Sequence, residues 1–131
     1  MINSNAYDYI NVLDKTADAS WIRNEVLSNN IANVNTPGYK RQDVAFEREL
    51  ERALGNSRYI TMDSKVGNLK INRLKPRSYT DYSNYSYRMD GNNVDIDTEN
   101  VTLAANQLKY QGVMEGINSE FRNLKNAMSG Q

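Results

Sequence analysis

Four carboxylates crowd into residues 90 to 99: Asp90, Asp95, Asp97 and Glu99. Carboxylates this close can divide acid and base work between them, one raised in pKa to donate and one ionised to accept. Such work needs a nucleophile, a histidine or a phosphate-cradling glycine loop beside it, and the chain has no histidine, no cysteine and no such loop. Catalysis is not expected. Taken as a calcium loop starting at Asp95, the same run has Asn100 where the sharp turn needs glycine and Asn106 where a bidentate glutamate is needed. Neither a metal nor a cofactor is therefore expected. Helix capping accounts for these acids, with Asp97 as the expected N-cap and Glu99 in the first turn, where the helix dipole favours negative charge.

A second group with chemical potential is Lys65, Lys70, Arg73, Lys75 and Arg77, followed by Tyr79, Tyr82, Tyr85 and Tyr87. Cations can meet phosphates while aromatic rings stack on bases, so single-stranded nucleic-acid binding is one reading. The other is an exposed connecting loop whose charge is balanced elsewhere. Sixteen basic against sixteen acidic side chains make the chain formally neutral, which favours the loop and implies no bulk attraction to nucleic acid. No small-molecule substrate is suggested either.

The elements around these groups are amphipathic and unevenly distributed. At 131 residues, with 39% hydrophobic content and a mean hydropathy of −0.76, the chain is short of material for a thick core, and an elongated shape is expected. Steps of four and three from Ala6 meet Ile10, Leu13, Ala17, Ser20, Asn24, Leu27, Ile31 and Val34, a heptad seam with a polar centre that can set register. Trp21, Ile22 and Val26 lie off this seam and widen the apolar surface. From Leu103 the same steps meet Gln107, Tyr110, Met114, Ile117, Phe121, Leu124 and Met128. Gly112 and Gly116 interrupt this second helix at a cost of roughly 1 kcal/mol each, marking either the close approach of a neighbour or a tolerated weakness.

The expected fold is mainly α. A helix within residues 1–35 and another within 97–129 form one coiled-coil-like inner domain, with an irregular, partly β segment over 36–96. Inside that segment Phe46, Leu50 and Leu54 share one face of a short helix ending at Gly55. Leu69 and Ile71 alternate weakly, as an edge strand or, preferably, a loop. A hairpin about Asp90-Gly91, with Val94 and Ile96 on its second arm, fits the tyrosine-rich run. A single helix pair covers one side of each stripe, so the terminal helices are expected to be loosely ordered alone and to order on association.

The first helix ends in "LSNNIANVNTPGYK", where Asn29, Asn30, Asn33 and Asn35 can satisfy backbone groups left unpaired at a crowded helix end. Pro37 biases Thr36 to extended backbone, and Gly38 can take positive φ for a sharp exit. With its continuation "RQDVAF", this run resembles the amino-terminal signature of the bacterial flagellar axial proteins, the rod, hook and hook-junction subunits. The matching residues are Asn30, Ile31, Ala32, Asn33, Thr36, Pro37, Gly38 and Tyr39. "RMDGNNVDIDTENVTLAANQLKYQ", residues 88 to 111, is similar to the run before the last helix of the proximal rod members, and the short length agrees with them. Residues 56 to 87 carry no such likeness.

The resemblance implies a structural subunit of the flagellar rod, built into a helical tube around the export channel by its terminal helices and transmitting torque. It implies as partners other copies of the chain, other rod proteins and, at the rod base, the adapter protein FliE, the membrane ring and the export gate. It further implies a place in the periplasmic part of the basal body, reached by type III export without a cleaved signal peptide. The opening residues, with no basic region followed by an apolar one, agree. A non-polymerising helical adapter is the alternative, since stripes of this kind can also bind a single partner.

Overall fold

The computed structural model describes residues 5–83 and 88–130. A short 3₁₀ turn, Asn5–Tyr7, leads into α1, Asp8–Ala32; then come β1, Gln42–Val44, and α2, Phe46–Leu54. Next are α3, Met62–Gly67, a 3₁₀ turn at Ile71–Arg73, β2, Ser78–Thr80, and α4, Ile96–Ser129. At 1.5 Å per residue α4 is about 50 Å long, so the molecule is mainly α and is dominated by its first and last helices.

These two helices pack antiparallel. Near one end of the pair Gly116 lies against Leu13, midway Asn106 reaches Ser20, and at the other end Glu99 meets Asn30. Ala17, Ser20 and Leu27 are buried, while Leu13, Asn24 and Ile31 keep partial exposure. The centre of this contact is polar: Asn106 Nδ2 donates to the Ser20 carbonyl at 2.8 Å. Ser20 Oγ, Asn24 Oδ1 and Asn106 Oδ1 are buried without a hydrogen-bond partner among the described residues. That arrangement costs stability and is what fixes a register in helix pairs.

The apolar core lies on another face of α1. Ala19 and Val26, with Ile22 beside them, pack on Val44, Phe46 and Leu74, and Leu50 and Leu69 close the cluster. The central segment is therefore folded onto α1 through the off-seam residues. Phe46 is 1% exposed and anchors α2, whose acidic first turn, Glu47 and Glu49, and terminal Gly55 at φ +71° bound the helix as its sequence implies. Strands β1 and β2 pair antiparallel, Gln42 with Thr80, Asp43 with Tyr79 and Val44 with Ser78.

Several expectations need correction. The N-cap of α4 is Asp95, not Asp97: Asp95 Oδ1 accepts from the backbone of Asp97 at 3.0 Å and of Thr98 at 3.3 Å, and Oδ2 from the Thr98 hydroxyl at 3.1 Å. Asp95 alone has both an extended backbone and an acceptor two and three residues ahead of free N–H groups. Among the described residues the tyrosine run forms no hairpin with 94–96, because β2 finds β1 instead and Ile96 already opens the helix; Tyr85 and Tyr87 lie outside the described residues. Residues 62–73, read preferably as loop about Leu69 and Ile71, hold a short helix and a 3₁₀ turn. Thr61 starts that helix by accepting from the Ser64 backbone, and Val66 and Leu74 are drawn into burial. Helix α1 stops at Ala32, so Val34 sits in the turn beyond it.

Candidate assembly site

The asparagine motif and the 88–111 motif meet in space. Asn30, fully buried, uses its side-chain amide as a peptide group would: Oδ1 accepts from the Gln42 backbone N–H at 2.9 Å and Nδ2 donates to the Gln42 carbonyl at 2.8 Å. Nδ2 also donates to Glu99 Oε2 at 3.0 Å, and the Tyr39 hydroxyl donates to Asn30 Oδ1 at 3.1 Å. Burial first, and the Glu99 charge second, push the Tyr39 pKa up, so the phenol keeps its proton to donate. One asparagine thus joins α1, β1, α4 and the turn between the first two.

Glu99 is the second hub. Its other oxygen accepts from Arg41 Nε at 2.8 Å, and Arg41 also reaches Asp81 at 3.0 Å and Asp43 at 3.3 Å. Burial alone would lower the Arg41 pKa, but hydrogen bonds to Glu99 and Asp81 and the charges of Glu99 and Asp43 outweigh it and raise it. A buried carboxylate is tolerated only when paired and hydrogen-bonded in this way. Glu99 was expected merely to complement the helix dipole.

Asn92 is the third hub, fully buried. Its Nδ2 donates to the carbonyls of Asn33 at 2.9 Å, Val34 at 3.0 Å and Thr36 at 2.9 Å, while Oδ1 accepts from the Val94 N–H at 2.8 Å. These carbonyls lie in the turn just beyond α1, and Asn92 is a second donor to each. The Asn33 carbonyl also accepts from the Thr36 N–H, that of Thr36 from the Tyr39 N–H and that of Val34 from Arg88. Asn33 closes its own helix end, donating to the Asn29 carbonyl at 2.8 Å. Gly38, at φ +72°, turns the chain so that its N–H donates to the Asp90 carbonyl at 2.7 Å. Asn93 Oδ1 accepts from the Arg41 N–H at 2.7 Å. The two motifs form one clasp locking the end of α1 to the start of α4. The four carboxylates of residues 90 to 99 diverge: Asp90 pairs with Arg88 at 3.0 Å, Asp95 caps a helix, Asp97 is exposed and Glu99 holds Arg41.

Beyond the clasp, the helix pair leaves apolar side chains in solvent. On the flank of α4 next to α1, Met114, Phe121 and Met128 are 37%, 49% and 79% exposed, while Leu103, Tyr110, Ile117 and Leu124 keep partial exposure. Ile10 on α1 is buried. A second stripe runs along the other side of α4: Val101 at 71% and Leu108 at 69%, with Ala104 and Gly112. The seven-residue interval from Val101 to Leu108 was its only sequence signal. Gly116 marks a close approach, since a Cβ there would lie 3.6 Å from Leu13, whereas Gly112 opens to free space. No helix among the described residues is long and apolar enough to cross a membrane.

Two motifs clasped to each other thus stand at the base of a helix pair with bare apolar flanks. A family described as "Flagella basal body rod protein" matches residues 10–40, the stretch from the first seam residue through the Pro37-Gly38 exit. The flagellar basal body rod protein FlgB of Bacillus subtilis is 35% identical over 126 residues, covering 90% of this chain and 91% of that protein. This chain belongs to the FlgB family. The FlgB of Borrelia hermsii is 40% identical over 113 residues, 80% of this chain and 78% of its own length. That of Escherichia coli is 30% identical over 113 residues, covering 81% and 82%. Membership makes the chain a structural component of the flagellar basal body rod.

Proposed function

We propose that this FlgB-family subunit polymerises through the exposed flanks of α4 and the partly exposed face of α1, so that neighbouring helix pairs enclose an export channel and carry torque. The observation that carries this reading is the bare apolar surface of α4. Val101, Leu108, Met114, Phe121 and Met128 are exposed on a folded subunit whose core is already filled. Apolar surface on two sides of one helix asks for at least two neighbours, and contacts between unlike faces build open helical arrays. The seam residues Ile10, Leu13, Ala17, Asn24, Leu27, Ile31 and Val34 hold the subunit together in this account, while Leu103, Tyr110, Met114, Ile117, Phe121, Leu124 and Met128 serve both the pair and its neighbours. The domain division is a helical body of the two terminal helices with a clasped central segment. At the rod base the partners are the adapter FliE, the membrane ring and the export gate, and the subunit works in the periplasm after export without a cleaved signal.

High-resolution imaging of isolated basal bodies tests this directly. The expected density places the antiparallel helix pair within a helical array, with Phe121 and Leu108 facing two different neighbours. A small closed complex outside the rod would favour the non-polymerising adapter.

A further inference from the structure

Residues 56–77 hold six of the chain's 16 basic side chains and one of its 16 acidic ones, so this segment carries a formal charge of about +5 and the remainder the opposite. Arg58, Lys70, Arg73, Lys75 and Arg77 are exposed. Among the described residues none of the segment's cations takes part in an ion pair. Between α2 and residues 68–74 lies a groove of about 360 Å³. Ala53, Leu69 and the buried Leu74 give it an apolar lining, and the exposed Lys70 and Arg73 and one acid, Glu49, stand around it.

The complementary surface is on the same chain. Asp14, Asp18, Trp21 and Glu25 follow one another at helical steps of four, three and four and share one face of α1. All four are exposed, Trp21 to 64%. Their three carboxylates take part in no ion pair among the described residues. This face is not the one covered by the central segment, and it borders α4 only through Trp21, whose ring lies 6.3 Å from that of Tyr110. A tryptophan with a carboxylate one turn before it and another one turn after it fits an apolar groove with cations at its edge.

We propose that the basic groove of one copy receives the acidic, Trp21-bearing face of α1 from the next copy. The two surfaces differ, so the contact is head-to-tail and does not close on itself. It rests on the rod reading for its setting and touches the flanks of α4 only where Trp21 meets Tyr110. It also absorbs the basic run that nucleic-acid binding would otherwise explain, with carboxylates taking the place of phosphates.

The test reverses the charges. In the source bacterium with its own gene deleted, the wild-type chain and three variants are compared for recovery in isolated basal bodies. The variants are Lys70→Glu/Arg73→Glu/Lys75→Glu, Asp14→Lys/Asp18→Lys/Glu25→Lys, and both sets combined. Each triple variant is expected to lower recovery by about tenfold or more, and the combined variant to restore most of it. Thermal unfolding of each purified chain separates lost contact from lost fold. If a triple variant unfolds early, the milder Lys70→Gln/Arg73→Gln/Lys75→Gln set takes its place and should lower recovery to a lesser degree. Wild-type recovery of a basic variant overturns the proposal. So does a combined variant no better than either triple, or loss of salt-sensitive binding to anionic vesicles or a single-stranded oligonucleotide as the sole effect. Absence of the wild-type chain from basal bodies would instead overturn the rod reading itself, and this proposal with it.

Discussion

The side-chain amide of Asn30 pairs with both backbone groups of Gln42, at 2.9 and 2.8 Å, doing for the inner end of β1 what a neighbouring strand would do. Removing it leaves the Gln42 N–H and carbonyl, the Tyr39 hydroxyl and one Glu99 oxygen without their partner in a buried place. Asn30→Ala should therefore cost about 3 kcal/mol, the range for stranding several buried polar groups. Asn30→Asp should cost at least as much, because a carboxylate would face Glu99. Urea unfolding of the purified chain measures both, and a loss below about 1 kcal/mol would deny Asn30 its central role.

Asn92 makes a different prediction because it acts on the turn and not on the strand. Asn92→Ala removes one of the donors to the carbonyls of Asn33, Val34 and Thr36 and the acceptor of the Val94 N–H, and should cost about 1 kcal/mol. The loss should be local first: amide exchange should quicken at Asn33 to Gly38 and at the start of α4 before it changes in the middle of either helix.

Acid should weaken the join between α1, α2 and α4. Glu47 bridges Arg23 at 2.5 Å and also reaches Lys109. The Arg23 hydrogen bond first, and that of Lys109 after it, outweigh the opposing effect of burial and hold the Glu47 pKa at about 2, against an ordinary 4.5. Its folded-state pKa is depressed, so its contribution is whole above pH 4.5 and is lost as the pH falls towards 2. The difference in melting temperature between wild type and Glu47→Gln should therefore be constant from pH 7 to about 5 and shrink below that. A gap independent of pH would contradict the assignment. Because Glu47 is half exposed, the gap is expected to be modest and to diminish with salt.

Gly116 can be tested by addition. A Cβ there would meet Leu13 at 3.6 and 3.7 Å, ordinary contact distances, and the backbone is helical. Gly116→Ala should stabilise the chain by about 0.5 to 1 kcal/mol, read as a rise of a few degrees in melting temperature. Destabilisation would mean that the helices sit closer than described.

Much of this was legible in the sequence. The heptads of Ile10 to Val34 and Leu103 to Phe121 announced two long helices, and Phe46, Leu50, Leu54 and Gly55 announced α2, because helical periodicity is a local property that packing here only reinforces. What could not be read were long-range pairings. β2 finds its partner 38 residues earlier in the chain, Thr80 with Gln42, and three-residue strands carry almost no pattern of their own. Asn30 was expected to satisfy a helix end, yet its partners are Gln42, Tyr39 and Glu99, and no spacing reveals which of several neighbouring asparagines will be the buried one. Arg41 and Asn92 were missed for the same reason. The clasp was visible only as two polar motifs at opposite ends of the chain, and folding brings them together.

The account as a whole depends on the flank of α4 being a surface for neighbours. Phe121, half exposed, can be replaced by aspartate at a cost to the isolated fold of about 1 kcal/mol, yet a carboxylate entering a buried intersubunit seam would cost far more. The deciding measurement is the amount of Phe121→Asp chain recovered in isolated basal bodies, beside its unfolding curve in solution. A near-normal unfolding curve with little or no incorporation, and with swimming lost, is the expected result. Full incorporation and normal swimming would contradict the claim that this flank joins subunits.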